Sequence, residues 1–166
     1  MIIMGIDPGL AIVGYGVVDY RVPRFHTLAY GAVTTPANTA VEDRLSQIFD
    51  GVTGLIDLYH PSDIAVEELF FTNNITTGIS VAEARGVILL AAKRKGISVF
   101  EYTPMQVKQA VVGYGKAEKK QVQIMVKTLL QLEKMPKLDD TADALAIAIC
   151  HAHTGCSRIR DFYNVK

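Results

Sequence analysis

The segment that most restricts the fold of this chain is a predicted helix near its end, at residues 140–153. Its central residues, 144–150, are apolar on every side of such a helix, so no face of it suits contact with water. A helix of this kind has to be buried, and the rest of the chain must provide a surface that covers it. We therefore expect this helix to pack against a β-sheet.

Segments with strand character come first in the chain, at residues 2–6, 12–18 and 25–34. They predict an antiparallel meander, with an Asp-Pro-Gly turn between the first two strands. The second strand contains Gly14 and Gly16, and glycines inside a strand indicate close approach by another group. This meander is expected to form one side of the sheet.

Helices and strands alternate after the meander. Apolar residues recur every three or four positions across residues 41–59, which predicts an amphipathic helix ended by Pro61. The later elements are a strand at 64–66, a helix to about Lys95, a strand at 97–101, a short helix opened by Thr103 and Pro104, a helix around 122–130 and the apolar last helix. This order predicts one α/β domain over residues 1–166, with a mixed five-stranded sheet and helices on both faces.

The composition excludes several classes of protein. Of the 166 residues, 49% are hydrophobic, so the chain has enough apolar material for a core and is not disordered. No apolar run reaches the about 20 residues of a membrane span, so no membrane partner is expected, and the N-terminus lacks a signal-peptide pattern. The cysteines Cys150 and Cys156 match neither a disulfide framework nor a zinc motif. These features favour the cytoplasm of a microbe.

The net charge of zero conceals an uneven distribution along the chain. Residues 1–84 carry three basic and ten acidic side chains, whereas residues 85–137 carry eleven basic and three acidic ones. A basic block of this size indicates a surface for a polyanion such as a nucleic acid. Lys93, Arg94 and Lys95 are interpreted differently, as solvated residues that suit the end of a helix.

Acidic residues stand at the ends of two predicted strands and at the start of the last helix. They are Asp7, Glu67, Glu68, Asp139, Asp140 and Asp143. In a helix, Asp143 shares a face with both Asp139 and Asp140, so helical geometry alone leaves either one as its partner. Ordinary local roles remain open as well, since Asp7 suits a turn and Asp139 suits a helix N-cap.

A bound cation is the simplest way to stabilise Asp143, which lies at the edge of the apolar stretch of the last helix. A buried charge is costly unless it is paired or binds a metal, and no lysine or arginine occurs between Leu138 and Ser157. Carboxylates from two strand ends and a helix suit Mg²⁺ or Mn²⁺. A pair of such ions favours the hydrolysis of phosphodiesters.

Four segments of the chain resemble one known family. The segments GIDPGLAIVGYGVV, AVEELFF, EYTPMQVKQAVVGYGKAEKKQV and DDTADALAIAICHAH are similar, in order and spacing, to the four blocks of the RuvC family of Holliday-junction resolvases. The resemblance implies a ribonuclease-H-like fold, a homodimer and a link to a branch-migration motor. It also implies Mg²⁺-dependent, symmetric nicking of four-way DNA junctions, with 5′-phosphate and 3′-hydroxyl ends.

The resemblance also implies roles for individual residues. Asp7, Glu67, Asp140 and Asp143 match the family's catalytic acids, which hold two Mg²⁺ ions per subunit that Mn²⁺ can replace. Lys119 matches a catalytic lysine that stabilises charge at the scissile phosphate.

DNA contacts are implied for Phe70, which would stack on unpaired bases, and for Lys108. Lys116, Lys120 and Arg85 are further candidates. The alternative for Phe70, and for Phe71, is a place in the core. His151 and His153 are interpreted as structural residues rather than metal ligands.

Two other functions remain possible on the same residues. One is a nuclease of related fold that cuts RNA–DNA hybrids, and the other is a junction-binding module without catalysis. An actin-like ATPase or sugar kinase also begins with an Asp-x-Gly turn, but such enzymes need a second phosphate loop and a far longer chain.

Overall fold

A computed structural model describes residues 1–69 and 75–155 of the chain. Its strands are β1 (Ile2–Asp7), β2 (Ile12–Arg21), β3 (Arg24–Thr34), β4 (Asp63–Glu67) and β5 (Ser98–Tyr102). Its helices are α1 (Val41–Tyr59), α2 (Ile75–Arg94), α3 (Pro104–Val112), α4 (Lys119–Leu129) and α5 (Asp139–Gly155). The predicted order of elements is confirmed, with shifts of one to a few residues at their ends.

The five strands form one mixed sheet in the order β3-β2-β1-β4-β5. The antiparallel part is the predicted meander of β1, β2 and β3. The parallel part consists of β1, β4 and β5, with Ile6 opposite Val66 in the first pair. Because β1 and β4 run in the same direction, their last residues, Asp7 and Glu67, come to the same edge of the sheet.

Helices cover both faces of this sheet, as predicted. On one face, α1 and α2 enclose an apolar cluster that includes Met4, Ile6 and Ile88. On the other face, α3, α4 and α5 enclose a second cluster that includes Ile3 and Ile149. Alternate residues of each strand therefore point to different helical layers. A strand residue faces the same layer as the residues two positions before and after it.

The apolar last helix is α5, and it lies directly on the sheet. Its residues Ala142 and 144–152 are buried. The glycines of the strands allow this contact, since a Cβ atom on Gly5 would lie 2.0 Å from the Ala144 carbonyl oxygen, and one on Gly16 would lie 2.5 Å from Leu145. The group whose close approach these glycines indicate is thus the helix itself.

Helix α3 begins where the sequence predicted, with Thr103 as its N-cap residue. The Thr103 hydroxyl accepts a hydrogen bond from the Gln106 backbone N–H, and the Gln106 side chain accepts one from the Thr103 N–H. This reciprocal capping box, with Pro104 at the first helical position, fixes where the helix begins.

Across residues 1–69 and 75–155, none of the helices has the length and hydropathy needed to cross a lipid bilayer.

Candidate active site

Two acidic side chains face α5 from the edge of the sheet where β1 and β4 end. Asp7 lies on the same side of β1 as Gly5, which contacts α5. Glu67 lies on the same side of β4 as Ala65, a member of the cluster beneath α5. Asp7 and Glu67 therefore point into the space between the sheet and the first turns of α5.

The first turn of α5 brings its own acids to this edge. Gly14 is the ladder partner of Asp7, and a Cβ atom on Gly14 would lie 2.1 Å from the backbone oxygen of Asp140. The backbone of Asp140 thus rests on the strand next to Asp7. Asp143, three residues later, is half-buried on the same helix.

The electrostatics show how closely these carboxylates converge. Burial, followed by the negative charges of Asp143, Glu67 and Asp140, raises the pKa of Asp7 from 3.8 to about 8. Burial and the charge of Asp143 also raise the pKa of Glu67. Burial raises the pKa of Asp143 as well, although Lys119 opposes this shift. The negative charges of its neighbours thus add to the effect of burial and make Asp7 harder to ionise.

Lys119 is a cationic side chain in direct contact with this acidic group. Its Nζ atom lies 3.0 Å from Asp143 Oδ2 and 3.3 Å from Asp139 Oδ2. Partial burial of Lys119 disfavours its charged form, but the hydrogen bonds and charges of Asp143 and Asp139 outweigh this effect and raise the pKa of Lys119. The amine is therefore an ammonium ion at neutral pH.

A small cavity of about 200 Å³ opens beside the carboxylates. It is lined by acidic, basic and apolar side chains, namely Glu67, Pro104, Val107, Lys108, Lys119, Val122, Asp143, Ala146 and Ile147. Burial raises the pKa of Glu67, and the positive charges of Lys119 and then of Lys108, on α3, partly oppose this rise. The structure thus brings Lys108 and Lys119 to the same site as Glu67 and Asp143.

The chemistry of these donors fits a hard divalent cation. Carboxylate oxygens are the ligands that Mg²⁺ and Mn²⁺ prefer, and burial together with the neighbouring negative charges raises the pKa of Asp7 and of Asp143, which a bound cation would offset. Among the residues that the structure describes, no three His, Cys, Asp or Glu side chains are already gathered closely enough to hold a metal ion. Side-chain movements would be needed to complete such a site.

The remaining candidate DNA contacts lie in different places. Lys116 and Lys120 are exposed, before and at the start of α4. Arg85 forms an ion pair of 2.6 Å with Glu101, on the face of the sheet that α2 covers and therefore away from Asp7. Phe70, predicted to stack on bases, falls outside the described residues, as does Phe71.

His151 has a structural environment. It is 1% exposed, its Nδ1 atom lies 2.8 Å from the Tyr102 hydroxyl oxygen, and its Nε2 atom lies 3.2 Å from Asp63 Oδ2. His153 is exposed, with Nδ1 3.1 Å from the Ala110 carbonyl oxygen. The buried contacts of His151 suit the structural role that the sequence-based interpretation gives it.

Asp139 has contacts that the sequence-based interpretation missed. The N-cap interpretation is wrong, because Leu138 occupies that position and its carbonyl accepts from Ala142. The Asp139 carboxylate instead contacts Lys119 and accepts a hydrogen bond of 3.0 Å from Gln123 Nε2. The sequence holds one signal for these contacts, because Lys119 and Gln123 are four residues apart and therefore share one face of α4.

The sheet order and the two helical layers, with acids at the ends of β1 and β4 and on the last helix, define a ribonuclease-H-like α/β fold. The yeast mitochondrial Holliday junction resolvase, at 14% identity, shares it with a TM-score of 0.65 over 96% of this chain and 83% of that one.

The family follows from closer comparisons. The family model described as crossover junction endodeoxyribonuclease RuvC matches residues 3–151. The protein of that name from Heliobacterium modesticaldum is 60% identical over 93% of this chain and 95% of its own length. A Thermus thermophilus RuvC structure, in complex with a Holliday junction substrate, has a TM-score of 0.89 and 37% identity, and covers 93% of this chain and 94% of its own. The chain belongs to the RuvC family of crossover junction endodeoxyribonucleases.

Proposed function

We propose that this chain is a structure-selective endonuclease that resolves four-way DNA junctions by paired symmetric nicks, leaving 5′-phosphate and 3′-hydroxyl ends. The observation that carries the proposal is the convergence of Asp7, Glu67, Asp140 and Asp143 at one sheet edge, where burial and then the charges of the other three raise the pKa of Asp7 to about 8. Family membership and the Thermus relative solved with its junction substrate support the choice of DNA.

The four carboxylates Asp7, Glu67, Asp140 and Asp143 would hold two Mg²⁺ ions per subunit, with Mn²⁺ able to replace them. When bound, these ions supply the charge that activates an attacking water molecule and stabilises the leaving oxygen. The excess of negative charge among these side chains supports this assignment, because ionising all of them without a cation is unfavourable.

The chain's own cations act on the substrate phosphate. The Lys119 ammonium lines the cavity and is half-exposed, so it attracts the scissile phosphate and offsets the negative charge that develops during hydrolysis. Lys108, which lines the same cavity, adds a second positive charge. The apolar part of the lining, which includes Val107 and Val122, limits the water around the phosphate and strengthens both interactions.

Binding to the junction would extend beyond the cavity. Lys108, Lys116 and Lys120 would contact phosphates, Phe70 would stack on a base, and Arg85 would contribute if its ion pair with Glu101 opened. A homodimer with a twofold axis would cut both strands of a symmetric junction. We further propose that residues 1–166 act as one nuclease domain, in the cytoplasm, with a branch-migration motor.

The decisive experiment compares substrates and one variant. Labelled mobile four-way junction, linear duplex and RNA–DNA hybrid are each incubated with Mg²⁺ and with either the wild-type protein or Asp7→Asn. We expect paired nicks on the junction alone, and we expect the variant to lose cleavage but keep junction binding. Binding without cleavage in Mg²⁺ or Mn²⁺, across several junction sequences, would favour a binding module. Cleavage of the hybrid instead would keep the site and change the substrate.

A further inference from the structure

Four polar side chains form a bridge between α4 and α5 at the edge of the carboxylate site. Lys119 Nζ lies 3.0 Å from Asp143 Oδ2 and 3.3 Å from Asp139 Oδ2. Gln123 Nε2 donates to the other oxygen of Asp139, at 3.0 Å. Lys119 and Gln123 are one helical turn apart on α4, as Asp139 and Asp143 are on α5. The bridge therefore links matching turns of two packed helices.

We propose that Asp139 is a positioning residue that holds the Lys119 ammonium at the mouth of the site and thereby releases Asp143 to bind a divalent cation. This inference rests on the proposed function, which assigns Asp143 to the cation. Gln123 takes part by fixing the orientation of the Asp139 carboxylate, since it occupies Oδ1 and leaves Oδ2 for Lys119.

The physical reason is competition for one carboxylate. Lys119 and a divalent cation both seek the negative charge of Asp143, so a cation binds only if the ammonium gives up that contact. Asp139 offers Lys119 a second anionic partner, which the ammonium keeps when it leaves Asp143. Without Asp139, Lys119 would have Asp143 as its remaining described ion-pair partner and would compete more strongly with the cation.

The contribution should be modest because the bridge is partly solvated. The side chains of Lys119 and Asp139 are 52% and 66% exposed, and that of Asp143 is 36% exposed. Ion pairs with such exposure change equilibria by a small factor, about two- to fivefold. A simpler explanation is that Asp139 attracts the cation through its charge alone, and the two explanations differ in their dependence on Lys119.

A double-mutant cycle on the full chain separates these explanations. Calorimetric titration with Mn²⁺, without DNA, compares wild type, Asp139→Asn, Lys119→Met and the double variant. We expect Asp139→Asn to weaken Mn²⁺ binding about three- to fivefold in the wild type, but less than about twofold in the Lys119→Met background. An equal loss in both backgrounds, or no loss in the wild type, would overturn the inference.

Two further variants sharpen this test. Gln123→Leu changes no charge, so a pure charge effect predicts unaltered Mn²⁺ binding, whereas loss of the Asp139 orientation predicts about a twofold weakening. Asp50→Asn, at an exposed position of α1, is the matched control for removal of one negative charge. It should leave Mn²⁺ affinity unchanged.

A metal-free measurement keeps the inference testable by itself. In nuclear magnetic resonance spectra, a lysine ammonium held by carboxylates exchanges its protons slowly and gives a visible signal. We expect the Lys119 signal in the wild type and a weaker signal in Asp139→Asn, where Asp143 is the remaining described partner. The same signal in both proteins would refute the role of Asp139. A wild-type protein that binds no Mn²⁺ would instead refute the cation assignment of the proposed function.

Discussion

Gly14 and Asp140 are in backbone contact across the boundary between the sheet and α5. A Cβ atom on Gly14 would come within 2.1 Å of the Asp140 carbonyl oxygen, closer than any real Cβ contact. Gly14 also lies opposite Asp7 in the β1–β2 ladder. The absence of a side chain at one position of β2 therefore sets how near the acids of α5 approach those of the sheet.

Substitution of Gly14 by alanine should damage both the site and the fold. Since the neighbouring atom belongs to the backbone, the start of α5 has to move away from β2. We expect a loss of roughly 1–3 kcal/mol in the free energy of unfolding, typical of overpacking. Junction cleavage should fall by more than tenfold, because misplacement by about 1 Å is enough to disturb catalytic geometry. Urea denaturation and a cleavage assay measure the two effects.

Gly54→Ala provides the matched control for this substitution. Gly54 lies inside α1, and a Cβ atom there would have no neighbour within 4 Å. Alanine favours a helix over glycine by about 1 kcal/mol, so this variant should be slightly more stable and fully active. If Gly14→Ala behaved in the same way, the proposed role of the close approach would be wrong.

Asp7 should destabilise the metal-free protein at neutral and alkaline pH. The pKa of Asp7 is raised in the folded state to about 8, from 3.8. The unfolded chain therefore ionises first, and stability present below pH 4 is lost as the pH rises toward 8. Asp7→Asn removes this loss. The difference in the free energy of unfolding between Asp7→Asn and the wild type should therefore be near zero at pH 4 and grow to about 2–4 kcal/mol, in favour of the variant, at pH 8.

Thermal denaturation in the presence of a chelator, at pH 4, 6 and 8, measures this difference. Asp50→Asn removes an exposed carboxylate from α1 and should follow the wild-type curve at every pH. A stabilisation by Asp7→Asn that stayed constant from pH 4 to pH 8 would show that the carboxylate is not forced to ionise against burial and its neighbours.

Much of the site could be predicted from the sequence because strand ends and helix faces have fixed periods. Asp7 and Glu67 each follow an apolar strand, and parallel strands place such residues at one edge. The choice between Asp139 and Asp140 was not available from helical geometry, because both share a face with Asp143. It depends on how α5 crosses β2, where the Asp140 backbone meets Gly14 and the Asp139 carboxylate turns toward α4.

Contacts between residues that are distant in the sequence could not be predicted, and those of Arg85 and His151 are examples. Arg85 belongs to a basic block and suggests a DNA contact, but its partner Glu101 comes from a strand sixteen residues later. The contacts of His151 are also distant in sequence, since Asp63 and Tyr102 lie on neighbouring strands. Such pairs form only after the sheet has placed its strands, so periodicity along one segment does not contain them.

Replacement of His151 by phenylalanine should destabilise the protein. Phenylalanine fills a similar space but cannot hydrogen-bond to Asp63, which is 6% exposed, or to Tyr102. Leaving a buried carboxylate without this partner should cost roughly 2–4 kcal/mol, measured by urea denaturation. His26→Phe, at an exposed position of β3, is the control. A fully stable His151→Phe protein would contradict this account.

Removal of the Lys108 charge should weaken junction binding in a salt-dependent way. Lys108 lines the cavity beside Glu67, where it would contact a DNA phosphate, and each such contact releases counterions when it forms. For Lys108→Ala we expect weaker binding and a plot of log affinity against log salt whose slope is smaller by about 1. Lys93→Ala, at the exposed end of α2, is the control. Equal slopes for all three proteins, measured by fluorescence anisotropy with an inactive Asp7→Asn background, would exclude a phosphate contact at Lys108.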